Sequence, residues 1–329
     1  DRATWKLVDE SGAAVADAYW KTVIPNWSRD VEDLKVAVPR LMAVGRPRAA
    51  FLVAHFDLKD LSARLVYDLL LAMTKSPEPS GTYMLQQHHL RDAFEVLNNS
   101  AQMSTEEMAG LEFAYIDIFD HGDGKPSNLS RAISMHPEML VQAIAFAFKR
   151  DDDGVDPSEL LLDNEEVRSN RATASYKLLQ AIELVPTKPD GVLEASTLIA
   201  WVEQARASIA SLARQDIGDQ MIGKVFSTAP AAEDGVWPTL AVRDALEQVA
   251  NEHIERGLHV ALRNARGVHW RGEGGAQERE LAAKYRGWAD AMEYTHPRVA
   301  GILRGVEKSY LSEAEWEDND AKIARRMRY

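Results

Sequence analysis

The chain has 329 residues, of which 46% are hydrophobic and 27% charged, the profile of a folded protein long enough to bury a large core. It has no cysteine, which excludes disulfides, thiolate metal sites and cysteine nucleophiles and makes a reducing, cytoplasmic compartment the expectation. A formal net charge of −13 repels nucleic acid at long range, so nucleic-acid binding would need a local basic patch, and no apolar run is long enough to cross a bilayer.

The chain opens Asp1-Arg2-Ala3-Thr4-Trp5, with no initiator methionine and no signal-peptide pattern, and Trp5 falls at once in a helical spacing. A segment of a larger protein is the expectation. Leu58, Leu61, Leu65, Leu69 and Met73 make the first clear helical stripe, with Asp57 or Asp60 as its cap and Ser76-Pro77 as its stop. Ser104-Thr105-Glu106-Glu107 is a capping box that predicts a helix through Leu111, Tyr115 and Ile118, ended by Gly122 and Gly124. His136-Pro137 starts another helix, whose run from Met139 to Phe148 is apolar nearly all round and therefore central to its layer.

Lys149 to Pro157 is polar, acidic and rich in turn residues. Beyond it the spacing predicts longer helices, over Leu193 to Ala213 and over Leu240 to Ala265. Leu281, Tyr285, Trp288 and Met292 form a later stripe, and Val299, Leu303, Val306 and Tyr310 another after Thr295-His296-Pro297. Ser312-Glu313-Ala314-Glu315 reads as a second capping box opening a separate last helix, whose acidic start and basic end (Lys322, Arg325, Arg326, Arg328) suit the helix dipole. Trp5, Trp20, Trp288 and Trp316 are expected to pack between hairpins.

With strand-like alternation missing, the predicted fold class is all-α: stacked antiparallel helical hairpins, as an α-solenoid or as two helical subdomains. The expected division is a hairpin array over 1–150 and an array of longer helices over 151–329. This succession of hairpins and caps resembles the degenerate HEAT- and tetratricopeptide-like helical repeats found towards the C-termini of large multidomain bacterial proteins. The resemblance covers most of the chain. It implies a fold and assigns no functional residue.

Several motifs fail on chemistry. Gly218 to Val225 approaches the phosphate-binding loop, but Val225 has no hydroxyl for Mg²⁺ and the segment before it is helical. Asp151-Asp152-Asp153-Gly154 has Lys149 and Leu160 at the first and last EF-hand positions, which is wrong for calcium. Asp117, Asp120 and Asp123 around His121 fail the same spacing. His88 and Asp92 share a helix face, but two ligands do not make a metal site. His253 sits on an apolar stripe with Val242, Leu246 and Val249 and reads as a packing residue. No catalytic signature is present, and neither cofactor nor metal is expected.

One surface stands out. Arg256, His259, Arg263 and Arg266 share a helix face, followed by His269, Trp270 and Arg271 in a glycine-containing loop. In an acidic protein this stripe suits an acidic partner; its bland alternative is a face solvated or paired with Glu252, Glu255 and Glu273. The expected function is a non-catalytic protein-interaction or sensing scaffold, its partner a protein or another domain of the same polypeptide. Two alternatives stand beside it: a nucleic-acid-binding module using the stripe from Arg256 to Arg271, and a helical enzyme with a pocket between the two subdomains.

Overall fold

The computed structural model describes residues 2–23, 30–76, 78, 87–119, 124–183, 185–188, 190–266, 272 and 274–327. Among them the chain is all-α, with sixteen α-helices and no strand. It divides into two compact units, Asp1–Leu129 and Ser130–Tyr329.

The first unit holds α1 (Arg2–Glu10), α2 (Ala13–Thr22), α3 (Val31–Ala43), α4 (Pro47–Ala54), α5 (Ala63–Thr74), α6 (Gln87–Asn98) and α7 (Thr105–Ala114). Leu34 and Val38 of α3, Phe51 of α4, Leu69 and Leu70 of α5, and Leu97 of α6 are all at most 1% exposed in one continuous core. Burying each such side chain stabilises by roughly 1.5–3 kcal/mol, so the hairpins are held mainly by this apolar seam. Trp5 and Trp20 meet with ring centroids 5.4 Å apart, as the hairpin reading requires.

Helix starts follow local chemistry. The Ser104 box forms in full: Glu107 N donates to Ser104 Oγ at 3.2 Å, and Ser104 N donates to Glu107 Oε2 at 2.9 Å. The Leu58–Met73 stripe begins differently from expectation. Leu58–Asp60 is a 3-10 turn, and Ser62, not Asp57 or Asp60, caps α5 by accepting from Leu65 N. The helix opened by Ser104 ends at Ala114 and passes into a second 3-10 turn, Ile116–Phe119. Gly122 and Pro77 lie outside the described residues.

Helix α8 (Ser127–Met135) runs through the division between the units. Its start is capped from α7 by Glu112, fully buried, which accepts from Leu129 N at 2.7 Å and from Asn128 Nδ2 at 2.8 Å. Burial pushes the Glu112 carboxyl above its ordinary range, against the pull of those donors.

The second unit continues with α9 (Pro137–Ala147), α10 (Glu165–Ala181), α11 (Ala195–Ser211), α12 (Gln215–Phe226), α13 (Leu240–Val249), α14 (Glu252–Asn264), α15 (Ala276–Met292) and α16 (Pro297–Met327). Pro137 occupies the first turn of α9, and the helix packs against both α10 and α11, as its all-round apolar surface predicts. The segment Lys149 to Pro157, expected as the boundary, lies inside this unit. Arg214, 2% exposed, donates to Phe148 O at 2.9 Å and holds both Asp156 oxygens at 2.8 Å. Asp151 N donates to Ala213 O at 2.7 Å, so the polar turn is tied to the α11–α12 joint. Arg150 neutralises Asp152 at 2.6 Å.

Two predicted helices differ in length. Leu240 to Ala265 is two helices, because Ala250 takes a left-handed φ of 46° and Asn251 then caps α14, accepting from His253 N and Ile254 N. The expected break before Ser312 does not occur. Nothing between Tyr310 and Ser312 forbids helix, and Ala314 is 1% exposed against the unit, so α16 runs unbroken for 31 residues. Trp316 consequently stands 62% exposed rather than packed between hairpins.

Candidate functional site: a groove between two helices

Helix α14 packs against α12 and α16. Against α12 the approach is as close as backbones allow. A Cβ built on Gly257 would lie 2.1 Å from Gln220 O, and one on Gly223 would lie 2.0 Å from Ile254 O. Only glycine permits that contact. The glycines of the phosphate-loop look-alike therefore sit within a helix and serve packing: Gly218 receives the Ile209 side chain and Gly223 receives α14. Lys224, from the same motif, buries its ammonium against the C-terminal end of α10, donating to Leu179 O and, at 2.7 Å, to Gln180 O. Desolvation pushes its pKa down to about 8.

Against α16 the same helix leaves space. One cavity of about 460 Å³ is lined by Glu252, Glu255, Arg256 and His259 from α14 and by Arg298, Gly301 and Gly305 from α16. A second, of about 400 Å³, is lined by Arg263 together with Gly305, Lys308, Ser309, Ser312 and Trp316. Gly305 belongs to both, so the two adjoin along one α14–α16 groove, which the His259 ring narrows at that point, 3.1 Å from a Cβ built on Gly305. On α16 its floor is Gly301, Gly305, Ser309 and Ser312, spaced four, four and three apart and so stacked on one helix face. A Cβ on Gly301 would meet nothing within 4 Å, so the face is open at that turn, whereas one on Gly305 would meet the His259 ring at 3.1 Å. Trp316 closes the row, and the exposed Ile323 and Met327 continue it at helical spacing.

The expected basic stripe is brought to this groove in part. Arg256 is exposed and makes no ion pair among the described residues. His259 is half-buried, its Nε2 3.3 Å from Ser309 Oγ. The Ser309 hydroxyl donates to Gly305 O at 3.1 Å, so it accepts from the His259 Nε2–H and leaves Nδ1 as the ring's lone pair. Desolvation, and then the neighbouring Arg263, hold the His259 pKa below its ordinary value. Arg263 forms an ion pair with Glu313. Arg266 turns away from the groove to Glu278, at 2.6 Å, and Gln277, at 3.0 Å. Arg298 holds Glu255 at 2.9 Å. Among the described residues the acidic partners of Arg263 and Arg266 are thus Glu313 and Glu278, not Glu252 or Glu255. His269, Trp270, Arg271 and Glu273 lie outside the described residues.

Sequence reading found the α14 wall and missed the α16 floor. The signal was present as Gly301-xxx-Gly305-xxx-Ser309-xx-Ser312-xxx-Trp316, but dividing the helix at Ser312 hid it.

The other flagged residues fall elsewhere. His88 and Asp92 lie on α6, and among the described residues no group of three His, Asp or Glu is placed to hold a metal ion. His253 pairs with Asp216 at 3.4 Å. Asp120, His121 and Asp123 lie outside the described residues. No family model, curated protein or solved structure matches the chain.

Proposed function

We propose that the chain is a non-catalytic protein-interaction scaffold, a degenerate helical-repeat array in which the α14–α16 groove receives an acidic segment of a partner protein or of another domain of the same polypeptide. The observation that carries this reading is the groove's build: a floor of glycine and serine along three turns of α16, with cations on both rims. Small residues let the occupant's backbone come close, as amphipathic helices do when laid into a groove. Arg256 and Lys308 on the rims make no ion pair among the described residues, in a chain whose net charge is −13. That contrast favours an acidic occupant and speeds its encounter. Arg263 adds a third cation once Glu313 is displaced, at little cost, since a pair this exposed contributes about 0–1 kcal/mol. Trp316, at the end of the floor, is the kind of residue that anchors protein interfaces.

Selection from a displayed library of random peptides, about one groove length each, tests the proposal. At about 1.5 Å per helical residue, ten to fifteen residues match the row from Gly301 to Trp316. Acidic sequences with one or two apolar anchors should emerge, and should lose roughly tenfold or more in affinity on Arg256→Glu with Lys308→Glu. Enrichment of basic or neutral peptides, or binding indifferent to both reversals, would contradict it.

A further inference from the structure

Ala314 is the last buried residue of α16, and every side chain from Lys322 to Met327 is exposed. A helix in a protein draws most of its stability from packing an apolar face. These last turns carry such a face. Trp316, Ile323 and Met327 are 62%, 55% and 82% exposed, and their spacings of seven and four put them on one side of the helix. Trp and Met are among the residues that protein interfaces favour over the rest of a surface. Ile323 and Met327 line neither cavity of the α14–α16 groove.

The charges beside this row say what covers it. Glu315, Asn319, Lys322 and Arg326 recur at four, three and four along one flank, acid first and bases last. Glu315, Lys322 and Arg326 make no ion pair among the described residues. In paired helices, charges flanking an apolar seam set partner and direction. Two copies laid parallel bring acid level with acid and base level with base. Laid antiparallel, with a two-fold axis between Asp320 and Ala321, each Trp316 falls between Ile323 and Met327 of the second copy, and each Glu315 falls opposite that copy's Arg326. The segment is complementary to itself, which is what a two-fold dimer requires. An anionic membrane surface suits it less, because the stretch from Ser312 to Met327 carries five acidic and three basic residues.

We infer that the last turns of α16 form a homodimerisation helix that pairs antiparallel with the same segment of a second copy. The apolar row holds the two helices together. The flanking charges choose the direction, since exposed ion pairs add little affinity. The overlap is about 24 Å of helix, short for an interface, so the dimer is weak, with a Kd of about 10–100 µM. The inference goes beyond the groove reading and shares only Trp316 with it, so either can fail alone.

Sedimentation velocity of the whole chain, from about 1 µM to about 500 µM, tests it. A reversible monomer–dimer equilibrium is expected. Ile323→Glu combined with Met327→Glu should leave the chain monomeric throughout. Its melting temperature, and its affinity for a groove-selected peptide at about 1 µM, should be unchanged, because both side chains are exposed and outside the groove. Cross-linking reads the direction, since the chain has no cysteine of its own. After mixing and mild oxidation, a Glu315→Cys chain and an Arg326→Cys chain should couple mainly to each other. A monomer at every concentration, a dimer undiminished in the Ile323/Met327 double variant, or disulfides mainly between like chains would overturn the inference. Binding to vesicles of anionic lipid by a chain that stays monomeric would overturn it as well.

Discussion

Helix α14 meets α12 with backbones touching and α16 across an open groove, and glycines stand at both places. At the first, Gly223 and Gly257 are there because nothing larger fits; at the second, Gly301 has nothing within 4 Å. The same residue type does opposite work on two sides of one helix. A glycine in a helix costs about 1 kcal/mol relative to alanine, so each position has a reason, and only the neighbour's position says which. Packing explains the α12 side completely. On the α16 side the His259 ring lies against Gly305, 3.1 Å from a built Cβ, whereas Gly301 meets nothing within 4 Å, so packing within the chain accounts for the one glycine and not for the other.

Filling each glycine separates the two cases. Gly257→Leu forces a side chain into the Gln220 backbone and should destabilise by about 3 kcal/mol or more, read as a lower denaturant midpoint with the slope retained. Arg214→Met comes next. It leaves Asp156 without its main partner and strands the carbonyls of Phe148 and Ala145, and should cost about 2–3 kcal/mol in the same measurement. Gly301→Ala should do the reverse, stabilising by about 0.5–1 kcal/mol through helix propensity, because the new methyl meets open space.

The open side also has a pH signature. His259 titrates below its ordinary value of 6.5 because burial and Arg263 disfavour the imidazolium. The unfolded chain then binds that proton more readily, so His259 makes the fold less stable as pH falls through 6.5. An acidic occupant beside the ring favours the charged form. Its NMR titration midpoint should therefore rise on binding, with proton uptake, and affinity should strengthen as pH falls through that range. A midpoint unmoved by a bound acidic peptide would place the occupant away from the α14–α16 groove.

How much of this was legible in the sequence follows the range of the forces. Ser104 and Glu107, or His136 and Pro137, act within a turn, so their helix starts can be read directly. The apolar stripe Leu198, Val202, Ala205, Ile209 and Leu212 gives α11 for the same reason: its first four side chains are at most 1% exposed, and Leu212, half-buried, stands just past the helix end. What depends on a distant neighbour was hidden. Ser312 has the surroundings of a cap, but Ala314 and Tyr310 are held by the rest of the unit and carry α16 past it. Ala250 takes its left-handed turn where the hydrophobic period from Val242 to His253 runs on without interruption. The four-residue face of Arg256, His259, Arg263 and Arg266 was visible, whereas Glu313 and Glu278, which pair with two of its members, are 50 and 12 residues away in sequence. The α16 floor needed both a continuous helix and an open neighbour, and neither is a local property.

The most direct test of the groove is to close it without touching the fold. Gly301→Leu places a side chain in the space where an occupant's backbone would lie, at a position where a Cβ meets nothing within 4 Å. Affinity for a peptide selected on the wild-type chain should fall by roughly a hundredfold, about 2.7 kcal/mol, while stability is unchanged or slightly raised. Undiminished affinity for that peptide in a folded Gly301→Leu chain would contradict the account.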